Sequence, residues 1–524
     1  MNKFSSLEIA VYGNDEMRDS LLLTEGFFTE KISSLSEIFN YPVTVISDIC
    51  SYSEITEFAE KGGFFILDSA AAGKIFNIKY KTDNCKYWEC RFKKLNIASS
   101  IIELPFKTIW SSYPDSWTEI DQGSGILKRT CGKGGFIVLP FVFEDLTKRR
   151  TLKRKQFYAE RLELPSERVA SFSLKPAREI LSAVIEFIYG EKNLPLLKKR
   201  PYPGLEKNLF LFRIDTDFAS SEDSEKLNEL LKKHKLRASW FIDTFDEKRV
   251  KNFYAALETG ETGIHCYHHF ISGDKNQIET DLNASLRVCK KYGISPKGYV
   301  APFGEWYPEL TEVLSEKGFN YSSEFAYDYD NFPSYPVING KKTDVMQIPI
   351  HPVSPGRLRR SHFLDAEKKA YFRKVAEKKI LNNEIIAFYH HPAHKMFDVL
   401  SDVFDYIGSF KLKNITFYEY YNFCKKRDEF KIKTKFENGK IFLRKEISCS
   451  EIGLEIIWKG KSADVNCADI LHLENINFSV KTHSEPEDDY KKIYRFHWRS
   501  LLYDYESKKS KKYFERRLKE CGYL

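Results

Sequence analysis

The sequence has no Cys-x-x-Cys pair. Its ten cysteines are scattered from Cys50 to Cys521, and only Cys85 and Cys90 lie close together. That spacing argues against a structural zinc ribbon or a disulfide framework and fits a reducing cytosol. Also missing is any run of about 18 apolar residues, so no membrane-spanning helix is expected. The start, MNKFSSLEIAVYGNDE, has no long apolar segment behind basic residues. No secretory leader is therefore expected, and the expected location is cytoplasmic. The glycines of the N-terminal stretch form neither Gly-x-Gly-x-x-Gly nor a P-loop, so no nucleotide site is expected there. No internal repeat is visible. The net charge of +8 is modest for 524 residues. It permits an anionic substrate or a peripheral membrane contact without implying either, and no nucleic-acid partner is expected.

What is present is core-forming material. The apolar fraction is 42%, with 41 Phe and 30 Tyr. A chain this long divides into two or three domains as a rule. Over 1–145, apolar runs such as LEIAVYG (7–13), YPVTVIS (41–47), GGFFILDSAAAG (62–73) and GGFIVLPF (134–141) end in turns and alternate with helical stretches. This predicts an open α/β domain. Residues 146–208 read as a basic and helical connector. It opens on TKRRTLKRK (147–155), read as a solvated loop or helix face with an anionic partner as the alternative, and ends in the Pro- and Lys-rich KKRPYPGLEKN (198–208), read as a linker. Residues 209–427 repeat a βα pattern, which predicts a barrel-like or wound parallel sheet. From 428 onward period-2 segments with an Asn-Gly turn predict a small β-rich domain, apart from the βα unit and ending in a basic helix.

The βα unit concentrates imidazoles: eight of the twelve histidines fall between 265 and 394. In ETGIHCYHHFISG (261–273), His265 and His269 are four apart and share a face in a strand or a helix, while His268 points elsewhere. Such a pair can begin a divalent-metal site, although His-x-x-x-His alone is more often a surface feature. In LFLFRIDTDF (209–218), four apolar residues lead into Asp215 and Asp217. Two carboxylates on one face of a buried strand are costly unless a cation or proton separates them. A third cluster, IIAFYHHPAH (385–394), ends an apolar strand in His390 and His391. These two point to opposite faces, so one of them faces a site. A carboxylate and two histidines complete a three-ligand set with an open position, leaving a second acid as a base.

The order of these pieces resembles the NodB-type polysaccharide deacetylases, carbohydrate esterase family four, over about 209–425. Asp215-Thr216-Asp217 is similar to the family's aspartate pair at a strand end, and ASWFID (238–243) to its ATFF strand. Glu261, Gly263, His265 and His269 match E-x-G-x-H-x-x-x-H. Val300 to Gly304 (VAPFG) is similar to R-x-P-[YF]-G, and FYHHP (388–392) to the closing strand that ends in His-Pro. The resemblance implies an α/β fold with a distorted (β/α) barrel and a hydrolase that removes an N-acetyl group from an amino sugar of a polysaccharide or its cytosolic precursor. It implies one divalent ion, zinc first and cobalt, nickel or manganese as alternatives, held by Asp217, His265 and His269. It further implies Asp215 as general base for the attacking water, His391 as general acid for the leaving amine, and the Phe303 N–H as a donor to the oxyanion.

The motif-three arginine of the family is Val300 here. Arg213 is two residues before Asp215 and shares its strand face, so it is the first candidate to orient the base; Arg237 and Arg357 are others. Without such a substitute, the chain reads as a catalytically impaired carbohydrate-binding or scaffolding protein. A metal hydrolase of another amide or ester is a third reading. Pro302, Phe303, Trp306 and His390 are candidate substrate-binding or orienting residues, with core packing as the competing role for Trp306. His351 and His362 read as ordinary polar residues or substrate contacts. The expected partner is an N-acetylated carbohydrate, and no oligomeric state is legible.

Overall fold

Seven consecutive residues, Leu209–Asp215, form the central strand β1, and all seven are buried. An apolar run without alternation suits a parallel strand covered on both faces. The chain's computed structural model describes residues 6–48, 50–254, 257, 260–447, 449–480, 490–495 and 498–520. In it β1 belongs to an eight-stranded parallel sheet with β2 (Ser239–Asp243), β3 (Glu261–Cys266), β4 (Gly298–Tyr299), β5 (Tyr321–Ser322), β6 (Met346–Gln347), β7 (Ile386–His390) and β8 (Lys413–Asn414). The spatial order is β6-β5-β4-β3-β2-β1-β7, with β8 paired to the start of β1. Helices such as Ser221–Lys233, Lys275–Lys291 and Phe397–Ser409 make the crossovers. The first starts where the Ser220 side chain accepts from Asp223 N, and it buries Leu227 and Leu231, one turn apart. Among the described residues no ladder joins β6 to β7; instead His351 N donates to the Ala387 carbonyl at 2.9 Å. The expected barrel is therefore a half-barrel of parallel strands, open along one seam.

The N-terminal stretch forms a seven-stranded sheet. Its order is Thr29–Lys31, Ile9–Tyr12, Val43–Ile46, Phe64–Leu67, Gly134–Val138, Leu127–Cys131, Thr118–Glu119. The first five strands are parallel, and each of the last two joins antiparallel to the strand before it. This is the open α/β sheet that the apolar runs lead one to expect.

The segment expected as a linker is not one. Leu196–Pro203 is a largely buried strand, paired antiparallel with Ile452–Trp458. Its apolar side chains Leu196, Leu197 and Tyr202 enter the core, while Lys198 pairs with Glu25 at 2.7 Å and Lys199 Nζ donates to the Phe430 carbonyl at 3.1 Å. The basic run also differs from a plain loop or helix face. Leu152–Gln156 is a strand paired with Ser166–Ala170, and this hairpin packs on the half-barrel through Ala170 N to the Phe325 carbonyl at 3.0 Å.

The β-rich end begins as expected. Strands Lys431–Glu437 and Lys440–Ile447 turn at Asn438 (φ 51°) and Gly439 (φ 74°), the left-handed pair that an Asn-Gly hairpin uses. It does not stand apart, however. Thr434 N donates to Glu8 Oε1 at 2.7 Å, Leu7 N donates to Thr434 Oγ1 at 3.0 Å, and one contiguous apolar core runs from Leu7 to Ile493. The basic helix spans Trp498–Glu520; the last four residues of that stretch, 521–524, lie outside the described residues. Lys511 Nζ sits 2.5 Å from Glu305 Oε2 and 3.0 Å from Tyr307 Oη, so this helix reaches the loop after β4.

A chain ended at Arg427 would lose Ile432, Ile441, Leu454 and Ile456 from the shared core and expose the Leu196–Pro203 edge. At about 1.5–3 kcal/mol for each buried aliphatic side chain, this alone rivals a whole stability of about 5–15 kcal/mol. The truncated chain is expected to lose cooperative thermal unfolding. A sharp transition within a few degrees of the full chain would contradict the shared core.

Candidate active site

The site is built on strand alternation. In register, Arg213 lies beside Ser239 and Ser239 beside Glu261; one step up, Asp215 lies beside Phe241 and Phe241 beside Gly263. Residues in register on parallel strands share a face. Arg213, Asp215, Glu261, Gly263 and His265 thus share the inner face of the half-barrel. Glu261 is an anchor there: it accepts from Ser239 Oγ at 2.8 Å, from Tyr418 N at 2.9 Å and from the Tyr321 hydroxyl. Gly263 leaves space, since a Cβ there would collide with the Phe241 ring and the Gly298 carbonyl.

The Arg213 guanidinium grips Asp215 at both oxygens, Nε to Oδ1 at 2.7 Å and Nη2 to Oδ2 at 2.6 Å. Its Nη1 donates to the Ser323 carbonyl at 2.6 Å, and the residue is 1% exposed. Burial pushes the Asp215 carboxyl up, but the guanidinium, together with His265 and His391, offsets this, and the net shift is downward. Of the three candidate arginines, Arg213 is thus the one in contact with Asp215. Arg237 instead pairs with Glu419 at 2.6 Å, and Arg357 with Glu167 at 2.6 Å. Val300 is fully buried and contributes its carbonyl, which takes a hydrogen bond from His265 Nδ1 at 2.9 Å.

That bond fixes the imidazole. A carbonyl can only accept, so Nδ1 carries the proton and Nε2 presents its lone pair. His265 Nε2 is buried without a hydrogen-bond partner and faces Asp217 Oδ1 at 3.5 Å, which is likewise without one. His269 Nε2 lies 3.6 Å from Asp217 Oδ2. The three residues each offer one ligand atom, all within 4.8 Å of one another. An orphaned imidazole nitrogen against an orphaned carboxylate oxygen is costly in a buried site unless a cation lies between them. One oxygen and two nitrogens fit a divalent ion that keeps an open position. His265 ends β3 and His269 lies in the loop beyond it, so the pair does not ride on one regular element; their rings are 5.5 Å apart. Burial pushes the His269 imidazole down, to about 4, and four nearby histidines (His391, His269, His265 and His394) hold Asp217 down against its own burial, to about 2.

His390 and His391 part as expected. His390 is in register with Ile214, on the face away from Asp215, and its Nε2 contacts the Lys395 carbonyl at 2.9 Å. His391 faces the carboxylates, with Nε2 3.4 Å from Asp217 Oδ1 and 4.0 Å from Asp215 Oδ2. The orienting role entertained for His390 thus has no geometric basis. Pro302 is buried in a short turn that throws Phe303 into a left-handed conformation (φ 59°), with its ring 4.7 Å from that of His269. Strain at a non-glycine residue of this kind gathers at functional sites. Trp306 is half-buried, bonded through Nε1 to Thr311 Oγ1 at 2.9 Å and packed on Tyr327. His351 bonds Asp330 and Tyr371, and the His362 carbonyl takes a bond from Arg161. His268 bonds Asp281 at 2.9 Å.

Three features of the site escape the sequence reading. Phe218 is 62% exposed at φ 56°, its ring 5.0 Å from that of His269. His394 packs on His391 with ring centroids 4.8 Å apart. Ser323 holds the far side of Arg213, its carbonyl accepting from Nη1 just past the end of β5. Only Phe218 had a signal, an aromatic just past the Asp-x-Asp strand end.

No family model matches the chain. A curated peptidoglycan deacetylase of Helicobacter pylori is 30% identical over 159 residues, which take in 25% of this chain and 54% of that protein. The chain thus spans about half the length of that relative. Among solved structures, a family 4 carbohydrate esterase from Streptomyces lividans is 13% identical, with 39% of this chain and 91% of that one covered at a TM-score of 0.26. A family 4 pseudoenzyme from Bacillus anthracis is 12% identical, with 53% and 92% covered at a TM-score of 0.30.

Proposed function

We propose, from the premise that residues 209–425 form a NodB-type polysaccharide deacetylase unit, that the protein is a metal-dependent hydrolase of N-acetyl groups on amino sugars. The observation that carries this reading is the buried Arg213–Asp215 pair set beside Asp217, His265 and His269. A divalent ion in that set supplies Lewis acidity, making water a stronger nucleophile and polarising an amide carbonyl.

The chain's own residues supply the rest. Asp215 takes a proton from the attacking water, and Arg213 holds its carboxylate in one plane. His391, across the site from Asp215, gives a proton to the departing amine, so the amide C–N bond breaks to acetate and a free amino sugar. The left-handed turn at Phe303 borders the position where the oxyanion develops. Phe218 offers an exposed ring for a sugar face beside His269. Arg213 answers the departure at Val300, and this favours catalysis over a scaffold that has lost its activity.

Acetate release from a panel of N-acetylated sugars, with the amine product identified, tests the reading. Acetate with a matching free amine is expected. No release from any member, with the metal bound, would overturn it.

Arg213→Ala is expected to lower turnover by about two orders of magnitude or more while metal content stays near normal, because Asp215 then lacks its fixed orientation. Arg213→Lys should recover little, since an ammonium cannot hold a carboxylate bidentately. Wild-type turnover in Arg213→Ala would end the orienting role.

A further inference from the structure

The cations around the site divide into two groups. In the first they are consumed by acids: Arg168 pairs with Glu305 at 3.1 Å, Lys511 with the same Glu305, Arg161 with Glu367 at 3.0 Å, and Arg249 with Asp246 at 2.9 Å. In the second, Arg359, Arg360 and Lys395 are exposed, and among the described residues none of them has a carboxylate partner. Glu222, whose carboxyl is stabilised in part by Lys395, is held by Lys226 at 2.6 Å.

These three cations are tied to the chemistry by packing. The helix Pro355–Arg360 lies flat on the turn Pro392–His394, because Gly356 has no side chain: a Cβ there would collide with the His394 ring. Arg359 Nη1 donates to the His394 carbonyl at 3.4 Å, and the Arg360 carbonyl accepts from Tyr503 of the C-terminal helix at 3.2 Å. His394 in turn packs on His391, whose Nε2 faces Asp217. Arg357 and Arg161, neighbours of the three cations, are each paired with a carboxylate, Glu167 and Glu367, whereas Arg359, Arg360 and Lys395 have none at bonding distance among the described residues.

We propose that Arg359, Arg360 and Lys395 bind a phosphate-class anion carried by the substrate, so that the sugar acted on is a phosphate-linked precursor rather than a neutral glycan. This inference rests on the deacetylase reading above. Guanidinium groups recognise phosphate through paired, charge-assisted hydrogen bonds, and lysine adds a point charge. The anion can come from a nucleoside diphosphate or from a lipid diphosphate. Either brings its sugar to the same rim.

The test compares wild type with the R359A/R360A variant on three substrates that carry the same N-acetylated sugar. One is a nucleoside-diphosphate sugar, one a prenyl-diphosphate sugar in detergent, and one a neutral N-acetylated oligosaccharide. The expected result is a KM for one diphosphate substrate at least tenfold higher in the variant, with kcat and neutral-substrate turnover unchanged. The diphosphate arm that shifts identifies the source. Equal KM in both proteins on all three substrates would overturn the proposal. Binding of the same nucleoside-diphosphate sugar by calorimetry separates the two readings. Arginine-dependent binding without acetate release would leave the anion site standing and remove the deacetylase. Binding that is absent, or unchanged in R359A/R360A, alongside neutral-substrate turnover would do the reverse.

Discussion

His265→Ala is expected to strip the protein of most of its divalent ion and to abolish acetate release. The imidazole is already oriented for ligation, with Nδ1 committed to the Val300 carbonyl at 2.9 Å and Nε2 turned toward Asp217. Losing a mere outer-shell support costs about 10–100-fold in metal affinity. Losing one of three ligands costs more, because the remaining carboxylate and imidazole leave two further positions to solvent. His268→Ala is the internal control. Its ring bonds Asp281 at 2.9 Å, pointing away from the ligand set, and the variant should keep its metal. Elemental analysis of the two variants, purified side by side, decides the matter. Full occupancy in His265→Ala would sink the ligand assignment.

Asp215→Asn is expected to keep the ion and lose ~10²–10⁴ in rate, the usual cost of removing a general base. The amide preserves the shape and one acceptor for Arg213 but cannot take a proton. Stability should also fall. Arg213 is 1% exposed, and its charge is balanced by this carboxylate. Breaking a buried pair of this kind costs about 3–5 kcal/mol when one partner is removed outright, and the amide softens that loss. The readouts are turnover on an active substrate, metal content and melting temperature. A variant that loses its metal would make Asp215 a ligand and reverse the roles of the two aspartates.

Much of the site follows from short-range pattern. Arg213 and Asp215 are two apart on an apolar strand, so alternation alone puts them on one face, and the structure joins them bidentately. His390 and His391 differ by one residue, so alternation separates them; which one faces the carboxylates depends on the Ile214–His390 register, which no local pattern encodes. The strands Tyr321–Ser322 and Met346–Gln347 are two residues long, too short to show any period. Leu196–Pro203 was hidden for a different reason. Its Pro and Lys content is that of a linker, and its partner strand, Ile452–Trp458, lies far along the chain. The ion pairs and core contacts that bury its lysines exist only after these distant segments meet. The rim cations Arg359 and Arg360 look like ordinary surface charges in sequence, and only the packing of Gly356 on His394 shows where they stand.

The central claim is that one ion in the Asp217–His265–His269 set makes this half-barrel a deacetylase. Its most direct test is acetate release by the metal-stripped protein as Zn²⁺ is titrated back, on whichever N-acetylated sugar the panel finds active. Activity that is absent after chelation, rises in proportion to added ion and saturates at one equivalent is the predicted result. Undiminished acetate release from the stripped protein would contradict it.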